Sequence, residues 1–532
     1  MLFDEFPTDI IGYHLRTSHA PNRYALGPAF LDWDSQPDGF RRFMDARQVA
    51  LPLRLNAATP PFADLGHAPA QDLDAKSLGL FLELALGISA WKEAEGTRWP
   101  LRNNPSSGNL HPTEGWVFLP ALAGIGDGPA LYHYAPRPHN LEERCRLESL
   151  PEPLPEGAFL LALSSVPWRE SWKYGERAFR YCQHDVGHAI AACAYAAACL
   201  GWNLRILTRP GDDVLAQLLG LRRDDGFHAY EAEHPDLIAI VGPGDLPEPD
   251  LSPVAGQWFG QANKLSDDHD SWPVVDQALI FTHRNDGDGL RGVAELPSLS
   301  LPPSTCRHGA ASVIRHRRSA QRMNKGVGTT KDAFLRMLAA TMPDGASLLW
   351  RGWPWAPRLS LVLYVHQVEG LEPGLYALIR DPAHLDRLRD AMTAEYAWQP
   401  VPACPLPLYL LDSRPLRAEA SGLSCLQAIA GHGAFSLGML ADFTRTLSQD
   451  GDWAYRRLHW EAGIIGQALY LEAVAAGLSG TGIGCFFDSQ VLEQMGMEVD
   501  EWWSLYHFTI GEALEDKRIS TLPAYDVERV TD

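Results

Sequence analysis

The segment from Arg102 to Pro112 reads Arg-Asn-Asn-Pro-Ser-Ser-Gly-Asn-Leu-His-Pro and sets serines, asparagines and a glycine in one tight loop. Several donors beside an accessible backbone suit the polar edge of a planar ring, and the same composition also makes a plain hydrogen-bonded turn. Between Ile314 and Arg322, five basic or potentially basic side chains fall within nine residues: Arg315, His316, Arg317, Arg318 and Arg322. Guanidinium groups grip phosphate through paired hydrogen bonds, so this run suits an anchored phosphate as well as it suits a solvated helix start. Leu478 to Phe486 holds Gly480, Gly482 and Gly484, where the chain can turn sharply and bring its backbone close to a ligand, or simply end a helix. Lys517 and Arg518 follow the last apolar run, as a further source of positive charge or as a surface pair.

Groups able to move a proton lie near these segments. Trp172-Lys-Tyr-Gly-Glu-Arg177 precedes a long alanine-rich stretch and presents Lys173 and Tyr174 together. His111 stands inside the first loop. His184, Asp185 and His188 have a spacing that would hold a metal on a helix, but no further ligand cluster accompanies them, so core or interface histidines are expected and no metal site is assigned. His14, Arg16 and His19 make a basic spot near the chain start that reads as local structure.

These segments need a scaffold, and composition bounds it. The chain has 532 residues, 46% hydrophobic and 21% charged, which suits a globular protein of two to four domains. Its net charge of −21 disfavours nucleic acid or an anionic membrane as the main partner, so an anionic cofactor would need a local basic pocket. The opening residues are acidic and lack a secretion signal pattern, and the longest apolar stretch, Ala189 to Leu200, is well short of a bilayer span. Eight scattered cysteines without a CxxC pair read as reduced thiols in a cytoplasmic protein. No GxGxxG follows a first strand and no GxxxxGK[ST] occurs, so a Rossmann or P-loop reading is weak.

Similar pieces recur in order on either side of a Pro/Asp/Ser-rich connector. Leu131-Tyr-His-Tyr resembles Leu375-Tyr-Ala-Leu, and Phe179 to Gly201 resembles the stretch that begins at Tyr455. Gly187 and Gly201 have the same spacing as Gly463 and Gly477. A duplicated domain follows: 1–242, a partly structured connector 243–305, and 306–532, each half able to bury a core of its own. The apolar glycine-containing stretches read as buried central helices, and WVFLP, FLLALSSV, LVLYVHQV and PLPLYLLD read as buried strands.

The ordered set of segments resembles the nitroreductase superfamily, and more narrowly the flavin-dependent azoline dehydrogenases that make thiazoles and oxazoles. The resemblance implies an α+β fold in which two nitroreductase-like α/β sandwich halves form an intramolecular pseudodimer. It implies FMN as cofactor, with the phosphate and ring held by Arg315, Arg317, Arg318, Ser319 and Gln321, the last standing where the family usually has Arg or Lys. Pro105, Ser106, Ser107 and Asn109 would meet the isoalloxazine from the other half, with Gly482, Gly484 and Arg518 completing the site. His111 would touch the flavin edge. Lys173 and Tyr174 match the family's Lys-Tyr pair and would handle the proton, with Arg177 as a cationic neighbour.

The halves differ. The first has the Pro-Ser-Ser-Gly-Asn loop, but its start reads Tyr13-His-Leu-Arg-Thr-Ser18 and its last strand ends without a basic residue. The second has the arginine-rich start, but Trp350-Arg-Gly-Trp-Pro-Trp-Ala-Pro357 stands where the loop should recur. One FMN per chain is expected, with Trp350, Trp353 and Trp355 filling the second pocket rather than offering a substrate an aromatic platform, the alternative that their rings also allow. The reading is oxidation of an azoline-like or amino-acid-derived small-molecule or peptide substrate. The alternatives are an NAD(P)H-dependent nitro or quinone reductase and a non-catalytic scaffold of a biosynthetic complex. Association beyond the internal pseudodimer stays open.

Overall fold

The computed structural model describes residues 6–223, 227–252, 255–499 and 501–525; the outer ends of the two expected halves, 1–5 and 526–532, lie outside them. The expected strands form two antiparallel sheets. The N-terminal sheet has eight strands, with Thr113–Leu119 and Phe159–Ser165 at its centre and Asn203–Ile206 at one edge beside His234–Gly242. The C-terminal sheet has seven, with Leu359–Val365 and Phe435–Asp442 at its centre and Ser479–Ile483 at one edge beside Trp502–Gly511. Strands such as Phe159–Ser165 and Leu359–Val365 are buried at every position, which explains their unbroken apolar runs.

Two 22-residue helices, Ala178–Cys199 and Ala454–Ala475, lie between the sheets and cross one another. The matched glycines stand at the crossing. A Cβ on Gly187 would lie 2.8 Å from the Gly463 Cα, and one on Gly463 would lie 2.7 Å from the Gly187 Cα. The repeat glycines therefore set how closely the two halves approach, since any side chain would force the backbones apart. Trp460 reinforces the crossing by donating its indole N–H to the Gln183 side-chain oxygen at 2.7 Å.

The hydrophobic core differs from the expectation of one per half. A single continuous cluster includes Phe81, Phe159 and Trp202 from the first half with Phe334, Trp355 and Phe435 from the second. Burying both helices on all sides merges the interiors. A smaller cluster around Phe43, Trp116, Leu160 and Ile238 fills the other face of the N-terminal sheet. The connector is partly structured: Gly256–Trp258 pairs with Asn140–Leu147, and the helix Pro273–Phe281 buries Val274, Val275 and Ala278.

The chain end also crosses between halves. Ser520–Leu522 adds a third strand to the hairpin Ile88–Ala94/Thr97–Arg102. That hairpin turns through Glu95 and Gly96, both in the left-handed region, as a tight two-residue turn requires. Among the described residues no helix is long and apolar enough to cross a membrane, and all eight cysteines are free thiols.

Candidate active site

A cavity of about 760 Å³ opens where the hairpin, the crossing helices and the C-terminal edge strand meet. Its first-half wall is the loop Pro105–Asn109 with His111. Gly108, Asn109 and His111 have φ of 59°, 62° and 54°, a cluster of left-handed residues that only firm anchoring sustains. The anchors are visible. Ser107 donates to Asp185 from its backbone N–H at 3.1 Å and from its hydroxyl at 3.2 Å. Asn109 donates its amide to the Pro100 carbonyl at 2.9 Å and faces His111 Nε2 through its oxygen at 3.0 Å, while His111 donates its backbone N–H to the Ser106 hydroxyl at 2.7 Å. Thus the Asn109 amide is engaged in shaping the loop.

The second-half wall carries positive charge. Arg317 caps the helix Ala310–His316 and donates to the Asn103 carbonyl at 3.2 Å and the Arg102 carbonyl at 2.9 Å, at the base of the opposite loop. Its Nη1 is buried without a hydrogen-bond partner, and the guanidinium lies 5.0 Å from the centre of the Tyr470 ring. Arg318 donates only to Ser89 and to the carbonyls of Arg315 and Arg317. Neither arginine has a carboxylate partner among the described residues. Burial lowers both from the usual guanidinium range, Arg318 to about 10, with Arg317 beside it adding to the effect. Lys92 and Lys517 face the same space. Buried cations left uncompensated in so acidic a chain are costly unless an anion arrives to meet them.

Two expected contacts are corrected. Arg315 points away from the cavity: it pairs with Glu83 at 2.6 Å and donates to the carbonyls of Arg54 and Leu55, because it still belongs to the helix whereas Arg317 has left it. Arg518 pairs with Asp516 at 2.6 Å and its side chain is 81% exposed, so Lys517 is the member of that pair that lines the cavity. Ser319 and Gln321 do line it, the Ser319 hydroxyl lying 2.8 Å from that of Tyr470. Gly482 and Gly484 line it too, but Ser479–Ile483 is an edge strand and no sharp turn. The glycines are required by packing: a Cβ on Gly482 would lie 2.6 Å from Tyr506 Cζ, and one on Gly484 would lie 3.0 Å from Tyr181 Cδ1.

The floor comes from the first central helix, where Tyr181, Asp185 and His188 line the cavity at steps of four and three. That spacing places all three on one helix face; Asp185 and His188, expected as core or interface groups, line the cavity instead, and Tyr181, which the sequence reading does not single out, joins them. Burial pushes Asp185 up to about 7, against hydrogen bonds from Ser106 and Ser107. Burial, then the neighbouring Asp185, drives Glu170 well above the carboxylate range. Ser106 lies between the acids, its hydroxyl 3.5 Å from Glu170 Oε1. Tyr174 also lines the cavity, whereas Lys173 faces an adjoining recess. Arg177 is not their cationic neighbour. It is held by Asp488 at 3.1 Å and by the carbonyls of Thr17 and Gly484. His184 stacks on Tyr506, and His188 shares a hydrogen bond with the Tyr506 hydroxyl at 3.1 Å.

At the pseudo-symmetric position the aromatic run packs. Trp350, Trp353 and Trp355 are buried and touch edge to face, with Trp355 also against Trp453 and Trp460. Gly352 lies on the edge strand Asn203–Ile206, accepting from the Ile206 N–H at 3.2 Å, so backbone occupies the space that stays open beside Ser479–Ile483.

Residues 370–512 match the model of the Nitroreductase family. No curated protein sequence matches the chain. Among solved structures, a candidate nitroreductase from Anabaena variabilis is similar over 94% of this chain and 99% of its own, with a TM-score of 0.67 at 20% identity. The Escherichia coli microcin synthetase McbBCD complex with truncated pro-MccB17 bound matches 44% of this chain and 80% of its own at 14% identity, TM-score 0.25. A candidate nitroreductase in complex with FMN from Exiguobacterium sibiricum matches 38% and 88% at 13% identity, TM-score 0.23. The chain therefore has the nitroreductase fold, arranged as two halves of an internal pseudodimer, and its second half carries a nitroreductase-family domain.

Proposed function

We propose that the protein is an FMN-dependent oxidoreductase, a dehydrogenase of an azoline-like or amino-acid-derived substrate in natural-product biosynthesis. The observation that carries this reading is the shared cavity: guanidinium groups without a carboxylate partner among the described residues, from one half, face a loop of left-handed residues from the other. The residues fit the cofactor. The orphaned Nη1 of Arg317 is a donor awaiting an anionic oxygen, and the close-packed glycine strand leaves a smooth wall for a flat ring. Arg317 and Arg318, with Lys92 and Lys517, would hold the phosphate, and Pro105 to Asn109 with Ser319, Gln321, Gly482 and Gly484 would border the ring. When bound, FMN supplies hydride acceptance from the substrate and passes the electrons on to dioxygen. The chain's own part is to position the substrate, exclude water and take the carbon-bound proton. Lys173 and Tyr174 are the groups for that step. They converge on Gly108, where a Cβ would lie 3.3 Å from Lys173 Nζ and 2.7 Å from the Tyr174 hydroxyl.

The test is Lys173→Ala in the flavin-loaded protein. Turnover of an azoline substrate with dioxygen should be lost while the yellow colour stays. Full activity in the variant overturns the role of Lys173. Rapid bleaching of the bound flavin by NADPH would move the assignment to a nitro or quinone reductase, and protein that stays colourless after FMN is added would favour a scaffold.

A further inference from the structure

Beside the cavity lies a larger recess of about 1130 Å³. Trp33, Phe40, Trp91, Trp99 and Trp172 line it, contributed by the loop before the first sheet, the Ile88–Arg102 hairpin and the helix that carries Lys173. The recess shares Trp99, Gly108, Asn109 and His111 with the cavity, so the two spaces meet along the left-handed turn. At one side of this boundary Lys173 looks into the recess, and at the other Tyr174 looks into the cavity.

Its charges are uneven. Arg98 is neutralised by Glu93. Asp38, the acid of the lining, accepts the Phe40 N–H at 3.0 Å. Arg137 has no carboxylate partner among the described residues; its guanidinium carbon lies 5.8 Å from the centre of the Phe40 ring and 5.7 Å from that of Trp91. An arginine steadied on two aromatic faces keeps its forked N–H edge free for a carboxylate. Trp33 is 64% exposed while resting edge to face on Trp172 at 5.4 Å, a large apolar surface at the rim that a ligand would cover.

We propose that this recess binds an aromatic or heteroaromatic carboxylate, its ring against the tryptophan walls, its carboxylate on Arg137 and its far end at the Gly108 boundary. An aliphatic acid would leave the ring walls unused, and a neutral aromatic would leave Arg137 unmatched. As the substrate site, the recess rests on the flavin reading of the neighbouring cavity, but its binding can be measured apart from it.

The experiment titrates the full chain, with and without added FMN, with 2-phenylthiazole-4-carboxylate and with its carboxamide, following tryptophan quenching and the flavin absorption band. The acid should bind roughly tenfold tighter than the amide, and Arg137→Gln should erase that difference by weakening the acid alone. Trp33→Ala should weaken both ligands. Equal binding of acid and amide, an acid affinity indifferent to Arg137→Gln, or no saturable quenching would each overturn the proposal. Protein that takes up no FMN yet binds the acid through Arg137 keeps this site and loses the flavin reading; protein that binds FMN but not the acid does the reverse.

Discussion

In the first half, Arg16 near the chain start is paired with Glu176 at 2.7 Å, and Arg177 and Arg180 at the start of the central helix share Asp488 at 3.1 and 2.7 Å. At the start of the second, Arg317 and Arg318 are buried or partly buried with carbonyls and a serine as their partners. In the first half, Gly352 closes onto the edge strand Asn203–Ile206; in the second, the matching edge strand Ser479–Ile483 borders open space. Two related regions thus treat the same charge oppositely. Where a guanidinium is neutralised from within, its work is structural; where it is left unmet beside a cavity, the proposed ligand would supply the missing counter-charge.

The largest effect should come from breaking the internal pairing. Asp488→Ala leaves Arg177 and Arg180 buried together without their carboxylate and should cost about 3–5 kcal/mol in urea unfolding. Arg317→Gln should behave in the opposite manner, with stability nearly unchanged but FMN affinity lower by on the order of 30-fold, read by flavin fluorescence titration. A large stability loss in Arg317→Gln with unaltered flavin affinity would erase the contrast.

A subtler effect sharpens the account of how the ring loop is seated. Asp185 is raised from 3.8 to about 7 in the fold. A raised acid holds its proton more tightly folded than unfolded, so its contribution to stability is complete below 3.8 and lost as pH climbs through about 7. The stability of the native protein relative to Asp185→Asn should therefore fall across that window by on the order of a few kcal/mol. Unfolding curves at a series of pH values would show it, and a pH-independent difference would mean that the carboxyl under Ser107 is not desolvated. The smallest change is expected for Arg518→Ala, whose exposed pairing with Asp516 should leave FMN affinity within about twofold, since surface ion pairs contribute little; a drop like that of Arg317→Gln would return Arg518 to the site.

Much of this arrangement is legible in the sequence because it rests on local rules. The matched glycines of the two alanine-rich stretches point to buried helices, and they stand at the crossing itself. The Trp350 to Trp355 run reads as filler because bulky rings stand where the polar Pro-Ser-Ser-Gly-Asn loop should recur. What escapes is decided by phase and by distant partners. Nothing in the composition of Arg315 to Arg318 shows that the helix ends at His316 and turns Arg315 toward Glu83 and Arg317 into the cavity. Lys517 and Arg518 look interchangeable until Asp516 claims the second. That Tyr181, Asp185 and His188 share the face toward the cavity is not legible, because the helix is buried on every face and apolar contrast gives no phase. The glycines after Gly477 suggest a turn because their packing partners, Tyr181 and Tyr506, lie far off in the chain.

The central claim is that the two halves build one anion-seeking, ring-shaped site and close the other. Flavin released by denaturing the FMN-saturated, gel-filtered protein and counted by its visible absorbance against protein concentration tests it most directly. The account predicts one FMN per chain, falling toward zero with Arg317→Gln. Two per chain, or none at any FMN concentration, would contradict it.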